Sequence, residues 1–231
     1  MKYAKFIKEL NLEEYYTVPQ VIKFTKKILI MEYKEGLYID DIANTAGQKV
    51  RDYLGSLIMR ITIEELFVMN FMQTDPNFSN FFFNKDDMKL ILIDFGAATQ
   101  YKKEFCETYE HIIEAGCEEN SQKILEYGKI LGFLTGEENV NMKESFCKSL
   151  IAASEPFKKN ESYDFAAQKI TETVYVYMPS MMRNRLKQPP IEVYSLHRKL
   201  SGAYLMCIKL RAKVNVRKIF KEILKQQKNS Q

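Results

Sequence analysis

The chain has 231 residues, 46% of them hydrophobic and 28% charged, with a net charge of +4. That is enough apolar material for a buried core, and too little basicity to indicate nucleic acid as a partner. No apolar run reaches the roughly 18 residues of a membrane span. The opening MKYAKFIKELNLEEYY lacks the apolar centre of a signal peptide, and its acids make it a poor mitochondrial transit peptide. Cys106, Cys117, Cys147 and Cys207 are widely spaced and read as small buried hydrophobes in a reduced compartment. Neither His111 nor His197 has metal-like spacing.

Residues 2–15 read as a helix. TVPQVIKF and KKILIMEY then look like two short strands, the first tolerating a proline at its start. Gly36 punctuates KEGLYIDD. Over 48–71 the apolar residues Val50, Leu54, Leu57, Ile58, Ile61, Leu66 and Phe67 recur near the helical period. That helix must stop before Pro76, because proline pushes the preceding residue out of helical geometry. Residues 81–83 and 90–93 flank the polar NKDDMK and read as a hairpin. Beyond Thr99 the pattern predicts helices over 104–118, 121–131, 140–153, 163–178 and 193–209, and a basic one near 214–227. Gly128, Gly132 and Gly136 hint at a close-packed helix face. RNRLK at 183–187 could meet a phosphate or simply be a solvated helix end.

The chemistry gathers around FMQTDPNFSNFFF and LILIDFG. Asp75 should lie just past a helix end. The hairpin should stand Asn80 beside Asp94 at its open end. Two acids and an amide offer only oxygen ligands, which suit magnesium and, through it, the phosphate oxygens of a substrate. Asp94 would be a direct carboxylate ligand and Asn80 would lend its amide oxygen. Asp75 would orient or deprotonate an attacking hydroxyl or water. A catalytic Asp, an Asn five residues later and then Asp-Phe-Gly is the protein-kinase arrangement. Asp-Phe-Gly alone is weak, but the ordered set bracketing a hairpin is specific. The loop departs from the usual His-Arg-Asp, since it reads Gln73-Thr74-Asp75. His197-Arg198 in LHRKL has no following Asp and lies on a late helix, so it is set aside as a decoy. No Ala-Pro-Glu anchor follows DFGAATQY, which speaks against routine protein phosphorylation.

Together FMQTDPNFSNFFF, LILIDFGAATQY, FLTGEE and PPIEVYSLHRKLSGAYL resemble the UbiB-type (AarF-domain) atypical kinases, most of all the mitochondrial coenzyme Q biosynthesis members. The resemblance runs from about Tyr3 to Phe220. It implies an α+β, protein-kinase-like fold. Residues 35–231 would form a mostly helical C-lobe, and 1–34 a remnant of the N-lobe with its final strands and hinge. It also implies Mg2+ and ATP as cofactors. The activity implied is that of an ATPase or small-molecule kinase supporting ubiquinone synthesis at the matrix face of the inner mitochondrial membrane. By position, Asp75 matches the catalytic Asp, and Asn80 and Asp94 match the metal and nucleotide ligands. Glu32, Tyr33, Lys34 and Glu35 match the hinge that contacts adenine through backbone groups. The run 194–199 matches a C-lobe signature, for which only packing is expected.

The family's N-terminal half carries a lysine-x-glycine-glutamine helix, an alanine-rich nucleotide loop, a strand lysine and a paired helix glutamate. None of these occurs here, and TAGQK at 45–49 has Thr45 where the lysine belongs. Two readings follow. In the first, the chain is the C-terminal part of a UbiB-type ATPase. In the second, it is a catalytically inactive module that docks on a ubiquinone biosynthesis complex, or on a full-length paralogue, through its orphan strands. A smaller third reading lays the basic helix of 209–228 on an anionic mitochondrial lipid surface, against the alternative that it packs on the lobe with a solvated charged face.

Overall fold

The computed structural model describes residues 2–229. Helix α1 (Lys2–Glu9) stops short of the expected residue 15, where Asn11 turns left-handed at φ 54°. Strand β1 (Tyr16–Thr17) follows, then the hairpin of β2 (Val21–Phe24) and β3 (Leu29–Met31). Two elements without a sequence signal come next, β4 (Leu37–Tyr38) and the short helix α2 (Ile39–Thr45). Helix α3 (Gln48–Phe67) ends before the expected residue 71. Asn70 adopts φ 47°, and its Nδ2 donates to the Leu66 carbonyl at 2.8 Å, closing the last turn. The residues released form β5 (Phe71–Gln73).

The hairpin is built of β6 (Phe81–Asn84) and β7 (Lys89–Leu92), and β8 (Ala98–Gln100) follows Asp-Phe-Gly. The helical part comprises α4 (Lys103–Cys117), α5 (Ser121–Ile130) and α6 (Val140–Ser154), then α7 (Ile170–Asn184), α8 (Ile191–Leu210) and α9 (Val216–Asn229). Side chains of Asn120 and Asn139 accept from the backbone at Lys123 and Met142, which explains where α5 and α6 start. α7 begins later than the expected residue 163. There β9 (Tyr163–Asp164) pairs antiparallel with β10 (Lys213–Val214), so the backbone is already committed to a ladder.

Four strands form one sheet in the order β1-β7-β6-β4, with β1 parallel to β7 and the other pairs antiparallel. The β2–β3 hairpin stands apart from that sheet and leaves Ile22 70% and Phe24 65% exposed. α3 runs through the centre of the core, flanked by α8 and α9. On α9, Val216, Ile219, Phe220, Ile223 and Leu224 are all buried, and Phe220 meets Phe67 edge-on at 5.5 Å. This corrects the lipid-surface reading of that helix: its apolar face is used inside the lobe, and only its charged face meets solvent. The glycine stripe is corrected too. A Cβ on Gly128 would come 2.6 Å from the Phe146 ring, so that contact is close helix packing. Gly132 and Gly136 instead lie in turns at φ 81° and 103°, where other residues are strained. Cys106, Cys147 and Cys207 are buried as expected, while Cys117 is partly buried, and burial pushes its thiol up to about 11. Among the described residues no helix is long and apolar enough to cross a membrane.

Candidate active site

Two loops are brought together by the ladder between β5 and β8, in which Gln73 faces Ala98. One step on, the Thr74 amide donates to the Ala97 carbonyl at 2.8 Å. The loop carrying Asp75 is thereby fastened to the loop carrying Asp94. The Asn77 side chain caps a short 3-10 turn over Phe78–Asn80 by accepting from the Ser79 amide. That turn delivers Asn80 to the hairpin, where its carbonyl accepts from the Ile93 amide at 3.2 Å. Asn80 therefore stands opposite Ile93, with Asp94 next along the chain.

Asn80 is buried, and its Nδ2 lies 3.0 Å from Asp75 Oδ2 and 3.3 Å from the Asp75 carbonyl. With Nδ2 so committed, Oδ1 is the atom left for a cation. Asp94 is exposed, and its Oδ1 accepts from the Gly96 amide at 2.7 Å, leaving Oδ2 open. Asn80 and Asp94 line one small hollow together with Phe95, Glu65 and Lys199. Among the described residues no group of three His, Cys, Asp or Glu side chains converges. The amide and carboxylate oxygens fit a hard cation that also takes phosphate oxygens.

Behind these groups lies a buried polar chain. Tyr3 Oη donates to Glu65 Oε1 at 2.8 Å, and its ring packs 4.5 Å from that of Phe95. Lys199 Nζ lies 2.9 Å from Glu65 Oε2, with both side chains 1% exposed. The same Nζ donates to Gln73 Oε1 at 3.0 Å, and Gln73 Nε2 donates to the Asp75 carbonyl at 2.7 Å. Lys199 is better aligned with Gln73, so Glu65 Oε2 is held by charge more than by a directed hydrogen bond. Burial drives the Glu65 carboxyl upward, while Lys199 pulls it back. Gln73, the departure from His-Arg-Asp, thus couples the buried ion pair to the Asp75 backbone.

The run 194–199 lies on a late helix as expected, but it does more than pack. Arg198 Nη2 is 3.0 Å from Asp75 Oδ1, and Lys199 anchors Gln73. Sequence reasoning missed both because their partners lie 123 and 126 positions away. A signal did exist. Lys199 falls in helical register with the buried Leu196, Ala203 and Met206, and a lysine on an apolar stripe calls for a buried partner. On the next turn Gly202 meets the Asp75 loop: a Cβ there would come 2.0 Å from Pro76 Cβ. His197 is packed between Tyr109 and Phe133, and burial lowers its imidazole to about 4, so it is neutral at pH 7.

Glu32, Tyr33, Lys34 and Glu35 follow β3 and run back to the main sheet. The Glu32 amide donates to the Gln20 carbonyl at 2.8 Å, and Lys34 pairs with Glu32 at 2.6 Å. Gly36 ends the segment pressed on the β6–β7 hairpin, where a Cβ would come 2.9 Å from Phe82 Cβ. Among the described residues no side-chain hydrogen bond or ion pair joins 32–35 to Asp75, Asn80 or Asp94.

The ABC1 atypical kinase-like domain matches residues 2–128, a stretch that includes all three of these residues. The chain belongs to the ABC1 atypical kinase family. This ABC1 chain is 41% identical over 226 residues to a protein of Dictyostelium discoideum named probable serine/threonine-protein kinase abkA, covering 94% of the chain and 39% of that protein. It is 39% identical over 212 residues to the mitochondrial atypical kinase coq-8 of Caenorhabditis elegans, covering 89% and 28%. It is 34% identical over 223 residues to the mitochondrial atypical kinase COQ8 of Saccharomyces cerevisiae, covering 95% and 44%. The ABC1 chain thus spans less than half the length of these relatives. Among solved structures, Rv3197 of Mycobacterium tuberculosis in complex with erythromycin superposes with a TM-score of 0.74 at 19% identity, over 95% of this chain and 55% of that one. That likeness places the ABC1 chain in the kinase-like α+β fold.

Proposed function

We propose that this chain is the C-terminal lobe of an atypical kinase or ATPase that binds Mg-ATP and supports coenzyme Q biosynthesis in mitochondria, at the matrix face of the inner membrane. Residues 35–231 are the lobe itself, and 1–34 are the last strands and hinge of a smaller N-lobe. The observation that carries the reading is the convergence of Asp75, Asn80 and Asp94 on adjoining loops fastened by the β5–β8 ladder. Asn80 Oδ1 and Asp94 would hold Mg2+. When bound, the ion neutralises charge on the phosphate oxygens of ATP. Asp75 accepts the proton of the attacking hydroxyl or water. Asn80 and Arg198 grip its two carboxylate oxygens and fix their direction. Backbone groups of Glu32, Tyr33, Lys34 and Glu35 receive adenine. The placement in mitochondria and in coenzyme Q synthesis follows the relatives named above and the family resemblance.

Titration with a fluorescent ATP analogue in magnesium tests the site. The lobe should bind it, and Asp94→Asn or Asn80→Ala should each lower affinity about tenfold or more, the worth of one charge-assisted contact. Equal affinity in wild type and both variants would remove the ATP reading. The coenzyme Q assignment is tested by quinone content in cells whose own copy carries Asp75→Asn, which should fall.

A second reading is favoured by the exposed β2–β3 hairpin with Ile22, Phe24, Ile28 and Leu29 at its surface. Open strand edges accept partner strands. The chain would then dock on a ubiquinone biosynthesis complex without turning over ATP. Charged substitutions at Ile22 and Phe24 that abolish co-purification of such a complex, with ATP binding intact, would favour it.

A further inference from the structure

A cavity of about 610 Å3 opens between α6, α7 and α8. Its size is that of a small-molecule site. α7 lies along α6 and buries only Ile170 of its own residues, leaving Tyr175 75% and Met182 61% exposed. Pro179 within α7 also removes one backbone donor from that helix. The walls are apolar, with Phe146, Leu150, Met178, Met182 and Leu205 among them. Among the described residues, the charged side chains that line the cavity are Arg185, Lys187 and Arg198, and no carboxylate lines it. Arg185 and Lys187 have no ion-pair partner among the described residues. Arg198 belongs to both places: it lines this cavity and lies 3.0 Å from Asp75 Oδ1. An apolar cavity with cationic side chains in its lining therefore shares Arg198 with the carboxylate to which proton acceptance was given above.

We propose that this groove is the acceptor site, and that it takes an amphiphile with one apolar chain and an oxygen-bearing head. The chain lies between α7 and α8, and the head meets Arg198 beside Asp75. The inference rests on the phosphoryl-transfer reading and names its acceptor by class. In the transfer, the head hydroxyl gives its proton to the Asp75 carboxylate while its oxygen bonds the terminal phosphorus of ATP. The bond from that phosphorus to the bridging oxygen breaks, and ADP leaves with the electron pair. Charge complementarity favours an oxygen-bearing head, because the cavity is lined by three cations and, among the described residues, by no carboxylate.

Dansyl-labelled undecanoic acid tests the site without nucleotide, its carboxylate standing in for the head oxygen. Its fluorescence should brighten on binding the wild-type chain. Ser201→Trp and Met182→Trp place bulk at exposed groove positions where folding tolerates it, and each should weaken binding more than tenfold. Arg198→Ala should weaken it about tenfold, the loss of one charge-assisted hydrogen bond. Absence of brightening, or equal binding by both tryptophan variants, would overturn the proposal. The nucleotide reading is scored separately: Asp94→Asn should lower affinity for the ATP analogue about tenfold or more and leave the dansyl titration unchanged. Failure of one therefore does not mimic failure of the other.

Discussion

Replacing Lys199 by methionine keeps most of the side-chain volume and removes one charge from the interior. Glu65 then stays buried without its counter-ion, and Gln73 Oε1 loses its donor. At 2.9 Å the pair attracts by about 6 kcal/mol with an effective dielectric near 20. Desolvation of both ions offsets much of that, and breaking such a pair from one side typically costs about 3–5 kcal/mol. For a chain of this size that is a melting-point loss of about 6–20 °C. Thermal unfolding at pH 7.5 reads it directly. The sign of the pH dependence is a further check. Burial already raises the Glu65 carboxyl, and losing Lys199 drives it higher. The variant's deficit should therefore be greatest at high pH and shrink as acid protonates Glu65. The double variant Lys199→Met with Glu65→Gln should recover most of the stability, because no lone charge remains. A loss under about 1 °C in the single variant, or no recovery in the double, would refute a buried ion pair behind the Asp75 loop.

Gly202→Ala should be costly although the change is one methyl. The added carbon would sit 2.0 Å from Pro76 Cβ, so α8 or the Asp75 loop must move. A penalty of about 1–3 kcal/mol is expected in urea unfolding, with turnover of ATP falling more than affinity for it. Glu64→Gln should change the pH profile of stability. Burial holds the Glu64 carboxyl at about 7 against the pull of Arg60, so the folded chain keeps a proton that the unfolded chain releases near 4.5. That contribution is complete below about 4.5 and lost as pH rises through about 7, worth about 3 kcal/mol across the window. His197, lowered to about 4, works in the opposite sense, so the prediction concerns the difference between variant and wild type. Phe24→Asp on the exposed hairpin should alter stability by less than about 0.5 kcal/mol, and a larger loss would mean that this face is packed.

Much of the candidate site was legible because its determinants are local. Pro76 bars a helix, Asn77 caps a turn, and alternating apolar residues make the hairpin that sets Asn80 near Asp94. Boundaries were less legible where one side chain decides them: Asn70 ends α3 early, and the β9–β10 ladder delays α7. The basic helix near the C-terminus was correct in place, but the choice between a lipid surface and the lobe could not come from amphipathicity, which both require.

Turn chemistry and side-chain periodicity act over a few residues, and so they set the order of the longer helices, the hairpin, and the Asp75, Asn80 and Asp94 spacing. Which distant groups meet was settled by packing. Arg198 and Lys199 reach Asp75, Gln73 and Glu65 because α8 packs against α3, and α9 buries its apolar face for the same reason. A buried charge states that it needs a partner, but which partner it finds depends on how whole helices share the limited interior of one core.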